Sequence, residues 1–418
     1  MSEKTKPKFF PALTGVRALA AIMVFTTHAG YIMTASLGPG FQRYFNELSI
    51  GLPMFFVLTG FLITLRYYDN FEFTKQWTKK YLISRAARLY PMYFLFTTAA
   101  FIYYYFNRGQ ALIGDPNHPW FTMFLNYTFL RGFFDDLKFT GVGQGWSITV
   151  DVVFYLITPF VFWLVKEKKF AFQQTLVFLP LGFLIVLICR NFSWYGFFSN
   201  FTFMLYYTFF GRCFEIYMGM LLALNYQKIN IKPGSKKFTY IGFILMFVCV
   251  YFFTLIPLGK DEQFGIKTPT GMILDTVLLS PAIIMFFFGL IKEKTTLQRI
   301  LSSKFVQLLS NASFLFYLIH LGFLNNFLHE GINWLNDWTF AFYDKHGLDW
   351  HSPFEYDQLN IFYVFFGLYG ISVFLYKFME EPLNKKIRNY LFLKINRPLP
   401  STVNEQALPV VEKEKVLE

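Results

Sequence analysis

The chain has 418 residues, 55% of them hydrophobic, 22% aromatic and 15% charged, with a formal net charge of +12. A soluble domain carries roughly 25% charged residues. The deficit falls in apolar stretches of about 18–24 residues, each enough to cross a ~30 Å hydrocarbon core as a helix, which excludes a soluble globular enzyme. The basic excess reads as loop charge on one side of a membrane, so no nucleic-acid partner is expected.

In chain order, ten spans are predicted, at 11–33, 49–66, 89–107, 146–165, 170–189, 201–224, 238–257, 272–291, 305–327 and 359–379. The expected fold is an all-α integral membrane protein, a multi-pass bundle of about ten transmembrane helices in a cell membrane, with a bacterial inner membrane as the expected site. An even count puts both termini on one side. Placing them in the cytoplasm assigns 27 Lys and Arg residues to that side, among them Arg66, Lys75, Arg85, Arg88, Lys236 and Lys385, and leaves eight outside. Basic residues accumulate in cytoplasmic loops, so this orientation is the expected one. Residues 120–134 are apolar but short for a span, and are expected to form an interfacial or re-entrant helix outside. Residues 1–10 read as a cytoplasmic N-terminal segment, 11–390 as the membrane domain and 391–418 as a polar cytoplasmic tail. Cys189, Cys213 and Cys249 lie in apolar stretches without disulfide or metal spacing, and no metal is expected.

Ionisable residues inside spans are costly and are functional candidates by default. They are Arg17, His28, Asp151, Arg212, Glu215, Asp275 and His320. A rise of ~1.5 Å per residue puts Arg17 about 9 Å and His28 about 25 Å up the first span. Counted from Trp146, Asp151 lies about 7 Å below the outer edge, and His320 about 22 Å up its own span. His28, Asp151 and His320 therefore share an outer layer, while Arg17 and Glu215 share an inner one; Glu215 can pair there with Arg17 or with Arg212. A histidine beside a carboxylate suits a general base for hydroxyl activation, since the carboxylate fixes the tautomer and stabilises the imidazolium. Plain interhelical hydrogen bonding is the alternative for either histidine. Asp275, near the outer end of its span, reads as solvated. Arg85 and Arg88 are three apart on one helix face before the third span, and suit either phosphate binding or topology-setting charge.

These residues resemble the membrane-bound acyltransferase-3 family. Leu13-Thr14-Gly15-Val16-Arg17 running to His28 is similar to its opening motif, an Arg and a His separated by ten residues. Phe55 to Thr64 matches its second-span signature, with Thr59 where Ser is usual. Arg85-Ala86-Ala87-Arg88 resembles its basic pair, and Trp146-Ser147 to Asp151 its fourth-span motif, with Asp where Glu is usual. Arg212 to Glu215, Ser313 to His320, and Glu380-Glu381-Pro382 resemble its later motifs. The resemblance covers about residues 10–390, in order, and is to the stand-alone type without a fused extracytoplasmic domain.

The resemblance implies an acyltransferase domain over 11–390 that moves an acyl group, most often acetyl, from coenzyme A to a carbohydrate hydroxyl. The expected partners are therefore acetyl-CoA or another acyl-CoA, a carbohydrate or glycan acceptor and the lipid bilayer; the oligomeric state is left open. His28 and Asp151 are the expected catalytic residues, and Arg17, Arg85 and Arg88 the donor-binding ones. Glu215, Arg212, His320, Trp146 and Ser147 are expected to support them. Direct transfer and a covalent relay both fit. The rival reading is a transporter of a glycan or lipid-linked intermediate, which predicts inverted repeats and broken helices, and neither is read in the sequence.

Overall fold

The structure is a computed structural model that describes residues 9–34, 37–107, 114–168, 173–259 and 263–396. The segment before Phe9 and the tail from Arg397 onward, both expected to be cytoplasmic, lie outside the described residues, except for Phe9 and Phe10 and for 391–396.

Nearly every described segment is helical. In chain order the helices are α1 (Pro11–Thr34), α2 (Pro39–Asn46), α3 (Gly51–Tyr67), α4 (Lys75–Phe106), α5 (Pro119–Tyr127), α6 (Trp146–Lys168) and α7 (Gln173–Cys189). They continue as α8 (Phe201–Tyr207), α9 (Phe209–Asn225), α10 (Lys237–Thr254), α11 (Pro269–Leu274), α12 (Ser280–Lys292) and α13 (Thr296–Leu301). The last four are α14 (Lys304–Ile319), α15 (Phe323–Lys345), α16 (Asp357–Leu375) and α17 (Glu381–Asn396). Among the described residues there is no strand, only one isolated antiparallel bridge between Phe134 and Phe197.

A helix meets each of the ten predicted spans, but six segments are long and apolar enough to cross a membrane by length and composition, or up to seven if a bent pair counts as one. The bent pair corrects the ninth predicted span. Residues 305–327 are not one straight helix: α14 ends at Ile319, and the chain turns by 87° into α15. Gly322, at φ 92°, supplies the left-handed backbone that this corner requires. The sixth predicted span is likewise broken at Thr208, which is extended between α8 and α9. In the 120–134 segment, the nine-residue α5 spans only about 13 Å at 1.5 Å per residue, too short to cross.

Small residues set the helix spacing. A Cβ on Gly60 would come 1.9 Å from the Ile216 carbonyl oxygen, and one on Gly219 would come 1.9 Å from that of Val57. The two glycines thus let α3 and α9 approach backbone to backbone from both sides, as packing between apolar helices demands where no hydrophobic effect draws them together. Gly242 and Gly289 do the same between α10 and α12. The glycine run at 141–145 serves a different end. A Cβ on Gly145 would strike the guanidinium of the fully buried Arg131, which bonds the Asn126 side chain (2.6 Å) and the carbonyls of Thr140 and Val142. That arginine pins the segment leading into α6.

Gly60→Ala and Gly219→Ala should each lower the stability of the detergent-solubilised protein by about 1–3 kcal/mol, the usual cost of overpacking. Gly370, whose added methyl would meet nothing within 4 Å, is the control. Equal unfolding midpoints for all three variants and the parent would show that the close approach is not what holds α3 to α9.

Candidate active site

Two polar assemblies lie along α1. One is built around His28, which faces a cavity of about 390 Å³. Its wall includes Ser49, Gln144, Trp146, Tyr206, Tyr207, Phe264, Lys267 and Tyr317. The His28 side chain is accessible through this cavity, whereas His320 beside it is 1% exposed. Their ring centroids are 5.5 Å apart. His320 Nδ1 is 2.8 Å from the Tyr317 carbonyl, an acceptor only, so Nδ1 carries the proton. Nε2 then keeps a lone pair, buried and without a hydrogen-bond partner. The Gln144 side-chain amide lies 3.3 Å from the same Nδ1, and with that nitrogen protonated it is the amide oxygen that must face it. The Ser147 and Tyr317 hydroxyls are 2.7 Å apart, and Ser147 donates to the Gln144 carbonyl (3.0 Å). Ser147 therefore ties the start of α6 to the helix that carries His320, and the neighbouring Trp146 packs on Tyr207 with ring centroids 4.7 Å apart.

The second assembly surrounds Arg17. Arg88, Arg85 and Arg66 all act on its charge. Arg85 donates to the Tyr67 hydroxyl at 2.8 Å and lies over the Tyr67 and Tyr155 rings, 5.2 and 6.0 Å from their centroids. Glu380 is buried and feels Arg88 and Arg17. None of these four arginines forms an ion pair with a described residue, although ion pairs occur elsewhere in the chain.

Asp151 falls in this second assembly. Thr59 hydrogen-bonds to it, and Arg88, Arg17 and Arg85 are its charged neighbours. It makes no ion pair with His28 or His320, so the expected His28–Asp151 pair is not formed. Trp146, five residues earlier on α6, lines the cavity with His28, while Asp151 lies among the arginines.

Of the two pairings open to Glu215, with Arg17 or with Arg212, the second is formed. Glu215 accepts from Arg212 Nη1 at 2.7 Å, and the same nitrogen donates to Asp275 at 2.7 Å. Asp275 is buried, not solvated as its position near a span end implied. Arg212 also donates from Nε to the Tyr206 carbonyl (2.9 Å) and lies 4.2 Å from the centre of that ring. This triad thus braces one wall of the cavity. Among the described residues no three His, Cys, Asp or Glu side chains converge as metal ligands.

Residues 10–368 match a family described as an acyltransferase domain. The chain belongs to this acyltransferase family. Relatives of the acyltransferase include a putative peptidoglycan O-acetyltransferase YrhL of Bacillus subtilis, 27% identical over 59% of this chain and 39% of that protein. The peptidoglycan O-acetyltransferase OatA of Listeria monocytogenes is 29% identical over 36% of this chain and 24% of its own. A putative acetyltransferase, ORF330, of Acidianus two-tailed virus is 27% identical over 40% and 45%. The chain thus spans less than half the length of each of these three. No solved structure matches it.

Sequence reasoning missed Lys267 of the acyltransferase, which was counted as loop charge. The 3-10 turn Gly265–Lys267 is drawn in by the buried Glu47, whose carboxylate accepts from the backbone nitrogens of Gly265 and Ile266. Burial, with Lys138 and Arg212 nearby, pulls the Lys267 ammonium down to about 8. The signal was present in Thr268-Pro269, a helix cap and start directly after the lysine, which fixes where the loop re-enters the bundle.

Arg212→Met should destabilise the protein by about 3–5 kcal/mol, because it strands two buried carboxylates. Adding Glu215→Gln and Asp275→Asn should recover much of that loss. Denaturant midpoints of the single and triple variants check this; a triple variant no better than the single would remove charge stranding as the cause.

Proposed function

We propose that the chain is a membrane O-acyltransferase that moves an acetyl group from acetyl-CoA to a hydroxyl of a cell-surface or exported carbohydrate. The observation that carries the reading is the layout of α1. Arg17 near one end of it gathers with three further arginines, none in an ion pair with a described residue; 11 residues away, about 16 Å along the helix, His28 opens into a cavity. Planar guanidinium groups suit the phosphates of coenzyme A. The pantetheine arm is long and flexible enough to run the intervening distance. Two relatives named as peptidoglycan O-acetyltransferases, one of them putatively, support acetyl as the group and a saccharide as the acceptor.

In this reading the protein crosses the membrane about ten times with both termini in the cytoplasm, as the charge asymmetry favours. The domain covers 11–390, and a bacterial inner membrane suits it. Donor phosphates enter at Arg85, Arg88, Arg17 and Arg66, and the acceptor enters the cavity from the opposite side. His28 takes the proton of the acceptor hydroxyl. The oxygen attacks the thioester carbonyl, the C–S bond breaks, and the proton passes to the departing coenzyme A thiolate. His320, its Nδ1 held by Tyr317, offers Nε2 to orient His28, the part expected of Asp151. Asp151 and Glu380 instead keep the arginine cluster from repelling itself apart. Apolar walls limit thioester hydrolysis.

With radiolabelled acetyl-CoA and purified protein, His28→Ala should abolish transfer at normal abundance, and His320→Ala should lower kcat far more than it raises the donor KM. Parent-rate transfer by the His28 variant would remove His28 as the base.

Replacing Arg85 and Arg88 together with Ala should raise the KM for acetyl-CoA while leaving the acceptor KM near the parent value, as lost uniform binding does. Lys at both positions should rescue only in part, since an ammonium lacks the two-pronged donor set. Full rescue by Lys would assign these residues to topology alone.

A further inference from the structure

The cavity beside His28 contains no acidic residue among its lining groups, yet Lys267 stands in its wall. Each nearby charge apart from this one has a partner. Lys138 is paired with Asp135. Glu47, the carboxylate that acts on Lys267, is taken up by Arg43 (3.4 Å) and by two backbone N–H groups. Arg212 is held by Glu215 and Asp275. Lys267 makes no ion pair with a described residue. Its ammonium instead lies 4.2, 5.3 and 5.6 Å from the ring centroids of Phe264, Tyr206 and Tyr207.

Aromatic rings stabilise an ammonium, but each exposed contact contributes only about 0.5–1 kcal/mol. They do not supply the hydrogen-bond acceptors that three N–H groups require. A partly buried cation with no ion-pair partner among the described residues is arranged for an anion. The cavity is otherwise suited to a sugar. Trp146 and Tyr207 present apolar faces, while Gln144 and Asn326 present amides that bond hydroxyls.

We infer that the acceptor is an anionic saccharide, whose carboxylate or phosphate pairs with Lys267 while a hydroxyl of the same or the next sugar meets His28. This rests on the transferase reading for the identity of the cavity as the acceptor site, and it adds the charge of the acceptor. The anion also positions the sugar, because the lysine comes from the loop ahead of α11 while the base comes from α1, so a two-point attachment orients the ring between them.

The test uses the purified full chain in nanodiscs and four probes: p-nitrophenyl β-D-glucuronide, its methyl ester, p-nitrophenyl β-D-glucoside and the glucoside 6-phosphate. Binding is measured by titration calorimetry on the parent, Lys267→Met and Lys267→Arg. The parent should bind at least one anionic probe about tenfold or more tighter than the glucoside, and the methyl ester should bind like the glucoside. Which anion is preferred separates a carboxylate from a phosphate acceptor. Lys267→Met should erase the preference by weakening the anionic probes alone, and Lys267→Arg should keep it. Equal affinity for all four probes in the parent, no binding of any, or a preference that survives in Lys267→Met would each overturn the inference. The methyl-ester comparison needs no variant and stands if Lys267→Met fails to fold. Acetyl transfer to the same probes separates the two readings. Charge-selective binding with no transfer would overturn the transferase reading and leave the anion site; transfer with equal KM for charged and neutral probes would overturn the anion site alone.

Discussion

Helix α1 carries Arg17 and His28 through a bundle in which α2, α3, α14 and α16 all pack against it. A charge held among apolar side chains is expensive unless something compensates it. Most of this chain's buried charges are compensated internally. Arg131 is caged by carbonyls and an amide, Arg212 by two carboxylates, and Glu47 by Arg43 and backbone nitrogens. Glu293 belongs with them: burial pushes its carboxyl up, but hydrogen bonds from Ser235, Thr239 and Phe238 outweigh that and hold it below its ordinary range. They brace α10 against the end of α12. The groups along α1 are different. The arginines around Arg17 and the lysine across from His28 form no ion pair with a described residue, and the carboxylates of Asp151 and Glu380 act on the arginines without pairing with them.

That contrast separates structural charge from functional charge better than burial does. Arg212 and Arg17 both sit on membrane helices, and both were singled out because intramembrane charge is costly. Only the first is satisfied by the chain itself. Arg212 acts on the site at one remove, by holding Tyr206 in the cavity wall. Two π-helical turns, at Asp275–Leu279 and Tyr376–Glu380, sit where acidic residues join these assemblies. An extra residue in a turn re-aims the side chains around it, which is why such bulges gather at sites like these.

What the sequence made legible followed the arithmetic of a single helix. Arg17 and His28 share α1, and Arg85 and Arg88 share one face of α4, because spacing along one helix fixes both rise and azimuth. Between helices only depth was available, and depth needs a known starting level. Asp151 stands with the arginines and not with the histidines because the direction in which α6 turns that residue is set by packing, which depth does not encode. Of the two arginines open to Glu215, the one three residues away on the same helix is its partner, while depth alone could not decide against Arg17. His320 stood at the expected level, but its link to Gln144 and Ser147 depends on the bend between α14 and α15, read in the sequence as a continuous span.

The bend has a consequence for chemistry. A straight helix through 305–327 would carry His320 past the cavity with its backbone N–H and C=O bonded within the helix and no special role for Tyr317. With α14 ending at Ile319, the Tyr317 carbonyl lies in the last turn, where carbonyls lack intrahelical partners. It takes the His320 Nδ1 proton at 2.8 Å. Helix termination therefore chooses the tautomer. A carboxylate in that place would add a full charge to an apolar setting and need compensation of its own, whereas a terminal carbonyl is already present and neutral. Among the described residues no carboxylate pairs with His28 or His320, and Asp151 lies with the arginines instead.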